Sequence, residues 1–108
     1  MHDEIAWMPA TDMAVAIRSK RLSPVEVTRA LLERIDSLNP ALNAYCLVTP
    51  DMAMAAAKEA EAAVTRGDDL GPLHGVPVSI KDLFDVKGLP TTKGSLLYKD
   101  QIAGSWEF

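Results

Sequence analysis

A single cysteine, Cys46, stands among 108 residues. That excludes a disulfide within the chain, and with it any scaffold stapled by disulfides; a reducing compartment is compatible with such usage. Aromatic residues are scarce at 6%, and 11 basic side chains face 15 acidic ones for a net charge of −4. No basic patch forms along the chain. Nucleic-acid binding through phosphate neutralisation and base stacking is therefore not expected. No apolar run approaches the ~20 residues that cross a bilayer, so no membrane span is expected. Asp3 and Glu4 occupy the place where a signal peptide carries positive charge, and no apolar segment follows them, which makes a cytoplasmic protein the default expectation. Neither His2 nor His74 lies at metal-ligand spacing from Cys46 or from the other, so no metal site is expected. Cys46 itself sits in the apolar run of residues 44–48 and reads as a small buried hydrophobe.

What is present is a globular balance, 48% hydrophobic and 24% charged, in a length that makes at most one small domain. Three helices are predicted, over residues 11–19, 24–38 and 50–66. Thr11 reads as the first N-cap, with Asp12 in the first turn, Met13, Ala16 and Ile17 on one apolar side, and Arg18, Lys20 and Arg21 as a solvated basic end. Trp7 and Met8 ahead of it are expected to pack onto the body of the protein. The second helix has the fullest signal. Ser23, Pro24, Val25 and Glu26 make a capping box with proline at the first helical position. Val27, Leu31, Ile35 and Leu38 follow at helical spacing, and Asn39 with Pro40 is expected to stop it. Residues 44–48 then read as a short strand. Thr49 and Pro50 repeat the pattern of cap and proline ahead of an alanine stripe, Ala53, Ala56, Ala57, Ala60 and Val64, which Arg66 and Gly67 close. The three segments share no fixed period, so they are not repeats.

Residues 71–95, GPLHGVPVSIKDLFDVKGLPTTKGS, concentrate four of the six glycines and three of the seven prolines. A short strand is expected near residues 76–82. In it Val76, Val78 and Ile80 share one face, and Pro77, Ser79 and Lys81 the other. Lys81 has two readings. Most lysines are exposed, and a solvated edge charge with a snorkelling stem is the plainer one. The other is a desolvated amine, driven toward its neutral form and able to act as a general base beside a hydroxyl. Local sequence does not choose between them. A phosphate-binding loop is not expected, because Lys87 and Lys93 precede their glycines, the reverse of the required order.

The same stretch resembles the N-terminal signature of the amidase signature family. The resemblance rests on Gly71, Pro72, Leu73, Gly75, Val76 and Pro77, then Ile80, Lys81 and Asp82, then Gly88, Leu89, Pro90, Thr91, Thr92, Gly94 and Ser95. Upstream, Ser23, Pro24 and Glu26, then Asn43 and Ala44, are similar to the family's helical lead-in. The resemblance implies an α/β fold, with helices around a mixed β-sheet. These 108 residues would be the N-terminal portion of a single amidase domain, mostly helical with one or two short strands and incomplete at its C-terminal end. It implies that Lys81 is the catalytic base of a Ser-cisSer-Lys triad whose two serines belong to a glycine- and serine-rich segment downstream of Phe108. Ser95 and Ser105 are not at the nucleophile's place, and no glycine-x-serine-x-glycine elbow surrounds Ser105.

The activity so implied is hydrolysis of a carboxamide C–N bond in a small-molecule amide, with no metal or organic cofactor. A general amidase is preferred over the related subunit of a tRNA-dependent amidotransferase. A non-enzymatic alternative stands beside it: a catalytically inactive fragment or partner-binding remnant. The 108 residues alone are expected to be inactive. A homo-oligomer is left open.

Overall fold

A computed structural model describes residues 3–107; Met1, His2 and Phe108, and with His2 part of the metal-site expectation, lie outside the described residues. The chain divides into two compact units, one running to Pro77 and the other beginning at Val78.

The first unit is helical: α1 (Asp3–Trp7), α2 (Ala10–Arg18), α3 (Pro24–Leu42) and α4 (Pro50–Arg66), with α3 packed against both α4 and α1. Ile5, Met13, Ile17, Val27, Ala30 and Val64 form its core. Met8, Leu22, Leu31, Leu70 and Val76 pack around them. Met13, Ile17, Val27, Leu31 and Val64 are apolar positions expected from helical spacing; Ile5, Ala30, Leu22 and Leu70 were not singled out, and Val76 comes from the start of the glycine-rich stretch. α1 was not expected. Its Asp3 and Glu4 lie in the first turn, where negative charge suits the helix dipole. Met8 packs on the core as expected, whereas Trp7 is 79% exposed and lies under the guanidinium of Arg34, 5.9 Å from the ring centroid.

α2 begins one residue before the predicted cap. Pro9, at φ −59° and ψ 145°, turns the chain into the helix, and its carbonyl accepts the Met13 N–H at 2.9 Å, so Thr11 lies inside the first turn. The Ser23 cap is as expected: its hydroxyl accepts the N–H of Val25 at 3.0 Å and of Glu26 at 3.5 Å. The expected stop at Asn39 and Pro40 is corrected, because α3 continues to Leu42. Pro40 lies inside the last turn, where it cannot donate a helical N–H bond, yet the chain keeps helical geometry for two more residues. The actual terminator is Asn43, in the left-handed conformation (φ 51°), a conformation its short polar side chain tolerates. Asn39 instead holds the chain beyond the helix. Its Oδ1 accepts the Tyr45 N–H at 2.9 Å and its Nδ2 donates to the Tyr45 carbonyl at 3.2 Å. Leu38, assigned to the apolar stripe, is exposed.

Residues 44–48 form no strand, and Cys46 is exposed rather than buried. A strand needs a neighbour for its backbone groups; here Asn39 takes both groups of Tyr45 and no ladder forms. In α4, Ala57 and Val64 are buried, Ala53 and Ala60 half-buried, and Ala56 exposed. Thr49 makes no side-chain cap bond, and Gly67 (φ 78°) ends the helix as expected. Beyond α4, His74 Nε2 lies 2.8 Å from the Ala60 carbonyl.

Among the described residues of the second unit there is no helix apart from a 3-10 turn, Leu96–Tyr98. Two segments return antiparallel through a bridge of Pro90 with Ile102. Around it Gly88 N–H donates to the Ala103 carbonyl (2.9 Å), Ala103 N–H to Leu89 (3.0 Å) and Thr91 N–H to Gln101 (3.0 Å). Thr91 and Ala103 are the buried residues here. The strand expected near residues 76–82 is absent among the described residues. Val78 is 81% exposed and Ile80 also lies open, because no β-ladder forms along residues 76–82. No described helix is long and apolar enough to cross a membrane.

Candidate functional site

Lys81, the one side chain singled out for chemistry, stands at the head of a tight turn in the second unit. Its carbonyl accepts the N–H of Leu83 at 2.7 Å and of Phe84 at 3.1 Å. The side chain is exposed, and its amine has no hydrogen-bond or ion-pair partner among the described residues. Ser79, Ile80 and Phe84 line a shallow open depression together with Lys81. The lysine and the hydroxyl expected beside it thus border one hollow, and no strand is needed to bring them there.

The next residue holds this turn. The Asp82 carboxylate accepts the Thr92 N–H at 2.7 Å on Oδ1 and the Thr92 hydroxyl on Oδ2, while the Asp82 carbonyl accepts the Lys93 N–H at 3.0 Å. The Thr92 hydroxyl, foremost, and its backbone N–H hold the Asp82 carboxyl below the usual aspartate range. Thr92 is itself well placed to grip. Its hydroxyl oxygen accepts the Gly94 N–H at 3.3 Å, its carbonyl accepts the Ser95 N–H at 2.9 Å, and the preceding Thr91 is buried and bonded across to Gln101. The loop closes through two consecutive left-handed residues, Lys93 (φ 54°) and Gly94 (φ 68°), and the Lys93 ammonium sits 5.5 Å from the Tyr98 ring centroid.

The two serines set aside as nucleophiles have other surroundings. Ser95 caps the 3-10 turn, accepting the Leu97 N–H at 3.2 Å, and Ser105 is exposed near the end of the described chain. No group of three or more His, Cys, Asp or Glu among the described residues could hold a metal ion. Sequence reasoning placed Asp82 and Thr92 in the motif but gave them no role. Ten residues separate them across a proline- and glycine-containing loop, and no helical or strand period links positions so far apart.

Three comparisons bear on this arrangement. The family model described as Amidase matches residues 26–105. An acylamidase of Rhodococcus erythropolis is 43% identical over 97 residues, covering 90% of this chain and 20% of the relative. A glutamyl-tRNA(Gln) amidotransferase subunit of Geobacter metallireducens is 48% identical over 79 residues, covering 73% of this chain and 16% of the relative. The solved structure of a bacterial aryl acylamidase of the amidase signature family superposes with a TM-score of 0.85 at 35% identity, covering 93% of this chain and 21% of that one. The described residues are a mostly helical portion of an α/β fold. The chain spans about a fifth of the length of the curated relatives it matches.

Proposed function

This chain belongs to the amidase family, and from that premise we propose that it supplies the lysine base of an enzyme that hydrolyses a carboxamide. The 108 residues form the N-terminal portion of its single amidase domain. The observation that carries this reading is the Lys81–Asp82 pair: it lies inside the matched stretch, with Lys81 on an exposed turn beside Ser79 and Asp82 fixing the turn's backbone.

A lysine amine serves as a base only where surrounding protein favours its neutral form. In the complete enzyme the Lys81 amine accepts, through a bridging serine hydroxyl, the proton of a second serine as that serine attacks the amide carbon. The tetrahedral oxyanion is held by backbone N–H groups. Its collapse breaks the C–N bond, the leaving nitrogen takes a proton, and an acyl-serine remains. Water then adds to the ester, the acid departs and the serine regains its proton. Neither serine comes from the residues described here. The chain contributes the proton acceptor and the turn that carries it.

A second reading within the family is one subunit of a tRNA-dependent amidotransferase, favoured by the Geobacter relative. There the ammonia passes to a second acceptor instead of leaving.

The test is turnover by the full-length polypeptide that carries this stretch, assayed alone on benzamide, propionamide and 4-nitroacetanilide. Acid should form in equal amount with ammonia from the two primary amides and with 4-nitroaniline from the anilide. Hydrolysis of none of the three, or activity only in the presence of partner subunits, would contradict the general-amidase reading.

A further inference from the structure

We propose that Asp82 is a positioning residue for Lys81, holding the lysine-bearing turn to Thr92 so that the amine is presented in one place; this rests on the reading of Lys81 as the base. The need for such a device follows from the backbone. No sheet ladder holds residues 78–82, and the hydrogen bonds accepted by the Lys81 carbonyl, from Leu83 and Phe84, close the turn on itself without tying it to anything else. A lysine side chain has four rotatable bonds above its Cα, so a swinging main chain would spread the amine over several ångströms. Catalysis by a positioned base requires the reverse.

Asp82 supplies the missing anchorage, and it does so from the adjacent residue. One carboxylate takes both donors of Thr92, and the Asp82 carbonyl takes the Lys93 N–H, so three bonds fix the residue that follows Lys81. The anchor at the far side is firm. Thr91 is 1% exposed, and its N–H is bonded to Gln101, while Gly88, Leu89 and Ala103 extend that antiparallel pairing. The chain of support therefore runs from the paired segments through Thr91 and Thr92 to Asp82, and ends one residue short of the base.

The chemistry of the pair also selects its residue types. An ionised carboxylate offers only acceptors, which matches the two donors Thr92 presents. Asparagine at position 82 would turn an N–H₂ group toward one of them. Valine at position 92 keeps the shape but loses the hydroxyl, and serine keeps the hydroxyl.

The experiment is a double-mutant cycle in the full-length polypeptide, on whichever of benzamide, propionamide and 4-nitroacetanilide wild type turns over fastest. The variants are Asp82→Asn, Thr92→Val, Thr92→Ser, Lys81→Ala and the double variant Lys81→Ala/Asp82→Asn. Asp82→Asn and Thr92→Val are expected to lower kcat by up to about 10²-fold with KM little changed, the order expected for a misplaced catalytic group. Thr92→Ser should stay near wild type. In the Lys81→Ala background Asp82→Asn should cost nothing further, because a residue acting through the lysine has nothing left to position. Equal losses with and without Lys81, or a wild-type kcat in both Asp82→Asn and Thr92→Val, would overturn the proposal while leaving the base in place. Near-normal turnover by Lys81→Ala would overturn the base reading and the positioning role with it. Thr92→Val guards against a folding failure of Asp82→Asn, since it removes one hydroxyl and leaves the carboxylate on the Thr92 N–H.

Discussion

Gly75 passes so close to Ile17 that a Cβ built on it would lie 3.1 Å from the Ile17 Cγ2 and 3.0 Å from Cγ of Pro24. The glycine-rich stretch begins, in physical terms, as a lid over the helical core. Ile17 is fully buried, and the chain can cross it only without a side chain and at φ 83°.

Gly75→Ala therefore meets two penalties. The left-handed backbone costs a residue with a Cβ roughly 1–2 kcal/mol, and overfilling a packed site typically ~1–3 kcal/mol. The expected loss is about 2–5 kcal/mol in urea unfolding. Gly88→Ala is the control. Its φ is 85°, yet nothing lies within 4 Å of the added methyl, so only the backbone term of roughly 1–2 kcal/mol applies. Equal losses at the two positions would show that the contact with Ile17 does not matter.

The two cap-and-proline sequences should differ in stability although they look alike. Ser23 bonds two N–H groups of α3, and Ser23→Ala is expected to cost about 1 kcal/mol. Thr49 makes no such bond, so Thr49→Ala should stay within about 0.5 kcal/mol. Denaturant midpoints of the two variants, measured side by side, check the order.

Much of the first unit was legible because helices announce themselves locally. Ser23 with Pro24, the stripe from Val27 to Leu31, and Gly67 each carry their own signal, and each stands where the residue types put it. The failures share one cause: partners distant in sequence. Pro40 reads as a stop, yet Asn43 ends α3. Cys46 and residues 76–82 read as strand or core, but burial of a period-2 segment depends on a neighbour that these residues do not have. At the site, the motif singled out Lys81 for chemistry and gave Asp82 no role. The hold of Asp82 on Thr92 was invisible, since it depends on a loop that folds back across ten residues.

Exposure of Cys46 gives a direct check on that correction. In the 108-residue chain a thiol reagent should modify Cys46 fully without denaturant. Protection until urea is added would mean that the thiol is buried after all.

Acid should loosen the second unit through Asp82. Its carboxyl titrates below the usual aspartate value of ~3.9 because the folded loop bonds the ionised form. A depressed folded-state value adds stability above the unfolded value. That contribution is lost as pH falls from about 4 through the folded value. Hydrogen exchange at the Thr92 and Lys93 amides should accelerate over that window, after correction for intrinsic rates. Asp82→Asn should abolish the pH dependence; retention of the same acid response by Asp82→Asn would assign it to another carboxylate.

The most direct measurement on the role of Lys81 is the rate of acyl-enzyme formation in single-turnover experiments on the full-length polypeptide, comparing wild type with Lys81→Arg and Lys81→Ala. Arginine keeps a positive charge but does not deprotonate in proteins, and alanine leaves the serine without its proton acceptor. Both variants should acylate ~10²–10⁴-fold more slowly, as loss of a general base entails, with thermal stability little changed. Acylation at the wild-type rate in both would make Lys81 a surface charge and contradict its assignment as the base.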